Sequence, residues 1–228
     1  MRLLESSSLE LREFLGRDTP KYVILSHTWG PEEVTFQDLK DIESARTKKG
    51  FHKLEGCCNK AKSDGFQWIW IDTCCIDKSS SAELSEAINS MYRWYANSQI
   101  CYAFLEDVGQ ELVDAPLYYG PLFMRNIRLR SFEESRWWTR GWTLQELIAP
   151  SIVEFYAEDW AEIGTKLSLS DSIAQLTGIE QAVLENSRHV NEFNIACRMS
   201  WAAKRDTTRE EDKAYCLMGI FGINMPLL

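Results

Sequence analysis

Four short, almost uninterrupted apolar runs constrain this chain more than any other feature. They are residues 22–25 (YVIL), 68–71 (WIWI), 100–105 (ICYAFL) and 152–156 (IVEFY). Each has the length of a strand, not of a helix, and WIWI has no polar position, as a buried strand requires. The stretches between them carry a helical period. Phe51, Leu54, Cys58 and Ala61 share one face, and Gly65 is a natural stop. Leu84, Ile88, Met91 and Tyr95 recur at i, i+4, i+7 and i+11 behind a capping-box pattern of Ser80 and Glu83. Residues 139–149 read as a helix that ends at Pro150. Strands alternating with helices predict parallel βαβ units, hence an α/β fold with a parallel sheet flanked by helices.

Residues 106–134 are weakly patterned, with Gly109, Pro116, Gly120 and Pro121, and read as an insertion or long loop. Beyond the fourth run the pattern is mostly helical. With 228 residues, no repeat and no long flexible linker, the expectation is one domain over 1–228. Its core spans about 20–160, with a helical extension over about 161–228.

Charge narrows the partners. Asp and Glu number 34 against 25 Lys and Arg, a net of −9. Phosphate backbones are repelled, and no basic cluster offsets this, so nucleic acid is excluded as an expected partner, and anionic membranes with it. The longest apolar stretch, FQWIWIDTCCI, is interrupted by Gln67 and Asp72 and is too short to span a bilayer. The N-terminus lacks a signal-peptide core. The expectation is a soluble, cytoplasmic protein. Seven cysteines, an odd number that includes the adjacent pairs Cys57–Cys58 and Cys74–Cys75, fit neither a disulfide framework nor a metal-ligand spacing. They read as buried small hydrophobes, with no metal expected.

Open parallel sheets bind ligands beyond the carboxyl ends of their strands. Residues 26–30, 72–77 and 106–109 occupy those ends. The first two segments are dense in polar groups, with Ser26, His27, Trp29 and Gly30 in one and Asp72, Cys75 and Asp77 in the other. No G-x-G-x-x-G or P-loop pattern occurs, so a dinucleotide site here is not of the Rossmann type.

Three blocks, YVILSHTWG (22–30), WIWIDTCCIDK (68–78) and WWTRGWTLQELIAP (137–150), resemble in this order the fungal heterokaryon incompatibility (HET) domain. TTREEDKAYCLMGIFGI (207–223) extends the resemblance, and MRLLE and AINSMYRWYANS are similar to the N-terminal part of vegetative incompatibility proteins. In some of those proteins a nucleotide-binding oligomerisation module follows, so the resemblance implies an isolated effector domain, self-association through it, and a missing C-terminal module. It also implies a fold like the Toll/interleukin-1 receptor (TIR) domain, many members of which cleave NAD at the nicotinamide–ribose bond. Their glutamate sits in a pattern like W-C-x-x-E-L, and residues 142–147 (WTLQEL) match it with Thr143 in place of Cys.

The resemblance therefore implies Glu146 as the catalytic carboxylate and NAD, or a related nucleotide, as substrate, with no further cofactor. Cleavage builds positive charge on the ribose, and the leaving pyridinium needs no general acid, so one carboxylate suffices. Trp29 or Trp142 supplies an aromatic platform, and Gly30 permits close approach. Ser26 and His27 bond ribose or phosphate, and Arg140 pairs with the pyrophosphate. The structural readings are plainer. On periodicity Glu146 lies off the apolar face of Leu144, Leu147 and Ile148. Thr208 and Glu211 fit a capping box, and Trp137–Trp138 fit the core. The rival function is a non-catalytic TIR-like adaptor that associates with its own kind.

Overall fold

A computed structural model describes residues 1–109 and 131–225 of the chain. The strands are β1 (Arg2–Glu5), β2 (Leu11–Glu13), β3 (Tyr22–His27), β4 (Trp68–Trp70), β5 (Cys101–Phe104), β6 (Val153–Tyr156) and β7 (Glu162–Thr165). They form one sheet in the order β2-β1-β4-β3-β5-β6-β7. The four apolar runs are its centre: β4, β3, β5 and β6 are mutually parallel, with Val23 opposite Ile69 and Ala103 opposite both Ser26 and Phe155. All six residues of β3 are buried, because helices cover both faces of a strand in this position. The expected α/β class holds. The parallel sheet expected from the four runs is the centre, and at its rims β1, β2 and β7 are added by antiparallel pairing. β2 and β7 have exposed positions, β1 has only two fully buried residues, and none of the three carries an apolar run of strand length. β7 also interrupts the region read as helical.

The helices include α1 (Ile42–Arg46), α2 (Phe51–Ser63), α3 (Ser81–Asn97), α4 (Thr143–Ile148), α5 (Ser170–Thr177), α6 (Gln181–Leu184), α7 (Ile195–Ser200), α8 (Asp212–Tyr215) and α9 (Met218–Phe221). α2 buries Phe51, Leu54, Cys57, Cys58 and Ala61 as its spacing requires, and Gly65 beyond it has φ +81°. The α3 capping box is only half formed. The Ser80 hydroxyl accepts from Glu83 N at 3.3 Å, but the Glu83 carboxylate accepts instead from Asp77 N (2.8 Å) and pairs with Arg2 (2.7 Å). Glu83 thus ties the loop after β4 to β1.

The helix expected over 139–149 is interrupted. A 3-10 turn covers Arg136–Thr139, and α4 begins only at Thr143. At the interruption the chain pairs with a distant segment: Gly141 N donates to Asp206 O (2.8 Å) and Asp206 N to Thr139 O (2.7 Å). A Cβ on Gly141 would lie 2.5 Å from Thr207 Cγ2, so only glycine permits this approach.

Of the expected insertion, residues 110–130 lie outside the described residues. Trp137 and Trp138 are core side chains, edge-on to each other at 4.7 Å and packed on Phe155. All seven cysteines are free, and six of them are buried. Among the described residues no helix is long and apolar enough to cross a membrane.

Candidate functional site

A cavity of about 400 Å³ opens at the carboxyl end of the parallel strands. Three bodies build it. β3 and β4 contribute His27, Trp29 and Asp72 from their ends. One face of α3 contributes Leu84, Ile88, Met91 and Tyr95, the stripe that the sequence marks as amphipathic. The third body joins residues 140–146 to the segment 205–212. Among the described residues, the loop after β5 takes no part in the wall. Asp107 there accepts from the Ser135 hydroxyl (2.6 Å) and from Arg136 N (2.8 Å), and so anchors the turn that precedes α4.

Glu146 stands in this wall with 7% of its surface exposed. All six residues of α4 are buried, so the helix has no solvent face on which a carboxylate could rest. That overturns the plain reading from periodicity, which needs an exposed side. The Ser26 hydroxyl donates to Glu146 Oε2, and Ser26 Oγ in turn accepts from Trp137 Nε1 at 2.9 Å. Burial pushes the Glu146 carboxyl up to about 8, and the negative charge of Asp72 adds to this. The bonds from Ser26 and Tyr95, with the nearby Arg205 guanidinium, favour the ionised form without offsetting the burial.

Asp72 is tuned the other way. Burial raises it, but the Lys78 ammonium, the His27 ring and the Trp29 N–H together hold it at about 2. Trp29 Nε1 donates to Oδ2 at 2.9 Å, His27 Nε2 lies 3.1 Å from Oδ1, and Lys78 Nζ is 3.9 Å from Oδ2. On the other side of the ring, His27 Nδ1 faces Glu33 Oε1 at 3.8 Å. Glu33 is itself held by the buried Lys53 (2.6 Å), which also donates to Thr28 O (3.2 Å). Two carboxyl groups of one cavity are therefore driven apart, one toward the neutral acid and one fixed as an anion. That divergence marks sites where acids take distinct roles.

The candidates read from sequence divide. His27, Trp29, Asp72, Arg140, Trp142 and Glu146 line the cavity together. Ser26 lies behind Glu146 and reaches the cavity through it. Gly30 does not line the wall, and its N–H donates to Glu33 (2.7 Å). Cys75 is buried with its sulfur accepting from Ile71 N (3.4 Å), and Asp77 caps the local turn through Ser79 N (3.0 Å). These two shape the loop from outside the cavity. The capping box at Thr208–Glu211 is corrected as well. Glu211 makes no side-chain cap on α8, and the Thr208 hydroxyl accepts from Arg140 Nη1 (3.1 Å).

Sequence reasoning named none of Lys78, Tyr95 and Thr143 as a site residue. It saw a motif in Arg209, Glu211 and Asp212 but favoured a structural reading of it. Yet Lys78, Tyr95, Thr143, Arg209 and Asp212 are all in the wall. Thr143, at the position where the TIR-like pattern has Cys, donates to Trp137 O (2.6 Å) and accepts from Arg205 Nη1 (2.8 Å). Tyr95 carried a helical signal that reads as core. Arg209 and Asp212 sit in a charged run whose place in the cavity depends on the 139–141 pairing.

Comparison with known proteins agrees with the resemblance to the HET domain. Residues 22–121 match the family described as Heterokaryon incompatibility protein (HET). A curated relative, Vegetative incompatibility protein HET-E-1 of Podospora anserina, is 46% identical over 234 residues that cover the whole of this chain. The chain spans 17% of that relative's length. No solved structure matches significantly.

Proposed function

This chain belongs to the heterokaryon incompatibility (HET) domain family, and from that premise we propose that it is a cell-death effector domain of vegetative incompatibility that hydrolyses NAD when clustered. Water replaces nicotinamide at the ribose C1, giving nicotinamide, ADP-ribose and a proton. The bond breaks toward an oxocarbenium-like ribose, and the pyridinium leaves as neutral nicotinamide without a proton donor. Glu146 as carboxylate faces the developing positive charge and holds the ribose hydroxyls. In a water-poor cavity that charge acts more strongly than in solvent. Asp72 fixes His27 and Trp29 at the mouth, where the half-exposed Trp29 offers a ring face to nicotinamide or adenine. Clustering is supplied by a following oligomerisation module of the kind that accompanies such domains.

The observation that supports this reading is Glu146, a buried carboxyl in a cavity at the strand ends, bonded to Ser26 and with its acidity displaced to about 8. Nicotinamide release from NAD by the concentrated or artificially oligomerised domain, followed by chromatography, tests it. The parent protein releases nicotinamide and Glu146→Gln does not. Equal release from the two rejects the assignment of Glu146. Toxicity that survives Glu146→Ala but disappears when association is blocked selects the adaptor function.

A further inference from the structure

The cavity wall opposite α3 holds three cations from three places in the chain: Lys78 beyond β4, Arg140 before α4, and Arg209 in the C-terminal segment. The same wall carries the acids Asp72, Glu146 and Asp212, so the cations are notable for converging on one space and not for an excess of charge. Lys78 is partly engaged, with Nζ 3.5 Å above the Trp29 ring and 3.9 Å from Asp72 Oδ2. Arg140 spends one nitrogen on the Thr208 hydroxyl. Among the described residues neither Arg140 nor Arg209 forms an ion pair, although Asp212 lines the same wall. Arg209 also bears on Lys78 electrostatically, each opposing the other's charge, so the two face one space. With no direct ion pair among the described residues, Arg140 and Arg209 keep donors for an anion entering the cavity, and such an anion also relieves the repulsion between Arg209 and Lys78.

We propose that Lys78, Arg140 and Arg209 form a diphosphate subsite, so that the cavity selects ligands with a 5′–5′ pyrophosphate over nucleosides and mononucleotides. Arginine forks grip two oxygens each, and Lys78 adds a compact charge at the Trp29 mouth. The subsite is split across the fold: Arg209 is brought in by bonds from Gly141 and Thr139 to Asp206, and from Arg205 to Arg140 O and Thr143, which hold the 205–212 segment against residues 139–143. The identity of what flanks the diphosphate rests on the NAD reading above; the anion subsite itself does not.

Calorimetry with inorganic pyrophosphate, ADP-ribose and nicotinamide mononucleotide tests this without turnover, on the parent, Lys78→Met, Lys78→Arg and Arg209→Met. Lys78 is partly exposed and Arg209 is exposed, and a thermal melt checks each fold. The expected result is that the parent binds pyrophosphate and ADP-ribose more tightly than the mononucleotide. Each Met variant then weakens both diphosphates by at least about tenfold, and Lys78→Arg regains most of the loss. Added salt weakens the parent more than the variants. ADP-ribose bound equally by parent and Met variants overturns the subsite while leaving the nucleotide reading intact. Pyrophosphate binding that depends on Lys78 and Arg209, with no binding of ADP-ribose or NAD, keeps the subsite and removes the NAD reading. No binding of either diphosphate overturns the proposal.

Discussion

Replacing Glu146 by Gln separates stability from function in a way that pH exposes. The Glu146 carboxyl titrates near 4.5 when exposed and at about 8 in the fold. Between those limits the native state keeps a proton that the unfolded state has released, so native stability falls as pH rises, by about 1.4 kcal/mol per pH unit. The accumulated loss is about 3 kcal/mol at pH 7 and levels off near 5 kcal/mol above pH 8. The substituted glutamine has nearly the same shape as the acid, accepts from the Ser26 hydroxyl through its carbonyl oxygen, and never ionises. Urea unfolding of parent and variant at pH 5, 6, 7 and 8 measures the effect. The difference between the two proteins cancels the other titrating groups. The variant is expected to gain little at pH 5, about 3 kcal/mol at pH 7 and more at pH 8, while losing NAD turnover. Turnover by the parent is expected to rise with pH toward 8 as the carboxylate forms. A stability difference that stays flat across this range, or grows toward acid, refutes the assigned burial of a proton at Glu146.

Asp72 works with the opposite sign. Held at about 2 against an ordinary 3.8, it stabilises the fold above pH 4 and loses that contribution as pH falls through 2. Asp72→Asn is expected to cost about 2 kcal/mol at pH 7 in urea unfolding, and a loss of the same size at pH 2 contradicts the ion-pair cause. Gly141→Ala puts a methyl 2.5 Å from Thr207 Cγ2 and 3.1 Å from Cys216 Sγ. It is expected to destabilise by about 1–3 kcal/mol and to speed tryptic cleavage at Arg209, which unchanged digestion kinetics would deny. Trp137→Phe removes the N–H that Ser26 accepts and is expected to cost about 1–2 kcal/mol, read from the denaturation midpoint. Among seven free cysteines only Cys197 is not buried. Brief alkylation of the native protein is expected to add one group by mass spectrometry, and several adducts under native conditions would mean the core is open.

The centre of the sheet was legible because a strand covered on both faces has to be apolar throughout. YVIL, WIWI and ICYAFL satisfy that condition outright, and IVEFY does so apart from the partly buried Glu154. The rim strands were not legible. β7 reads EIGT with every residue at least partly exposed, and a three- or four-residue strand paired on one side leaves no period to detect. The break before α4 was hidden for a different reason. Residues 139–149 have helical composition throughout, and only the pairing of Thr139 and Gly141 with Asp206, some 65 positions away, diverts the backbone. Local sequence carries no trace of such a bond, apart from a glycine in an otherwise bulky stretch.

The site shows the same division. Topology pointed to the strand ends, since parallel strands deliver their following loops to one edge, although Gly30, Cys75 and Asp77 in those loops fall outside the cavity. His27, Trp29 and Asp72 needed nothing more. Glu146 needed the family pattern, because periodicity assumes that a helix has a wet side, and α4 has none. A buried carboxyl on a fully buried helix is costly unless something is placed to receive it, and Ser26, Tyr95 and Arg205 are gathered there from β3, α3 and the C-terminal segment. Those partners do not bring its pKa down to the ordinary range, so the fold retains a strained acid at the place where the strands converge. A side chain kept for structure alone would lose that strain by a single change to Gln. The pH-dependent gain expected of Glu146→Gln therefore measures how much stability the fold gives up to keep a carboxyl in the cavity.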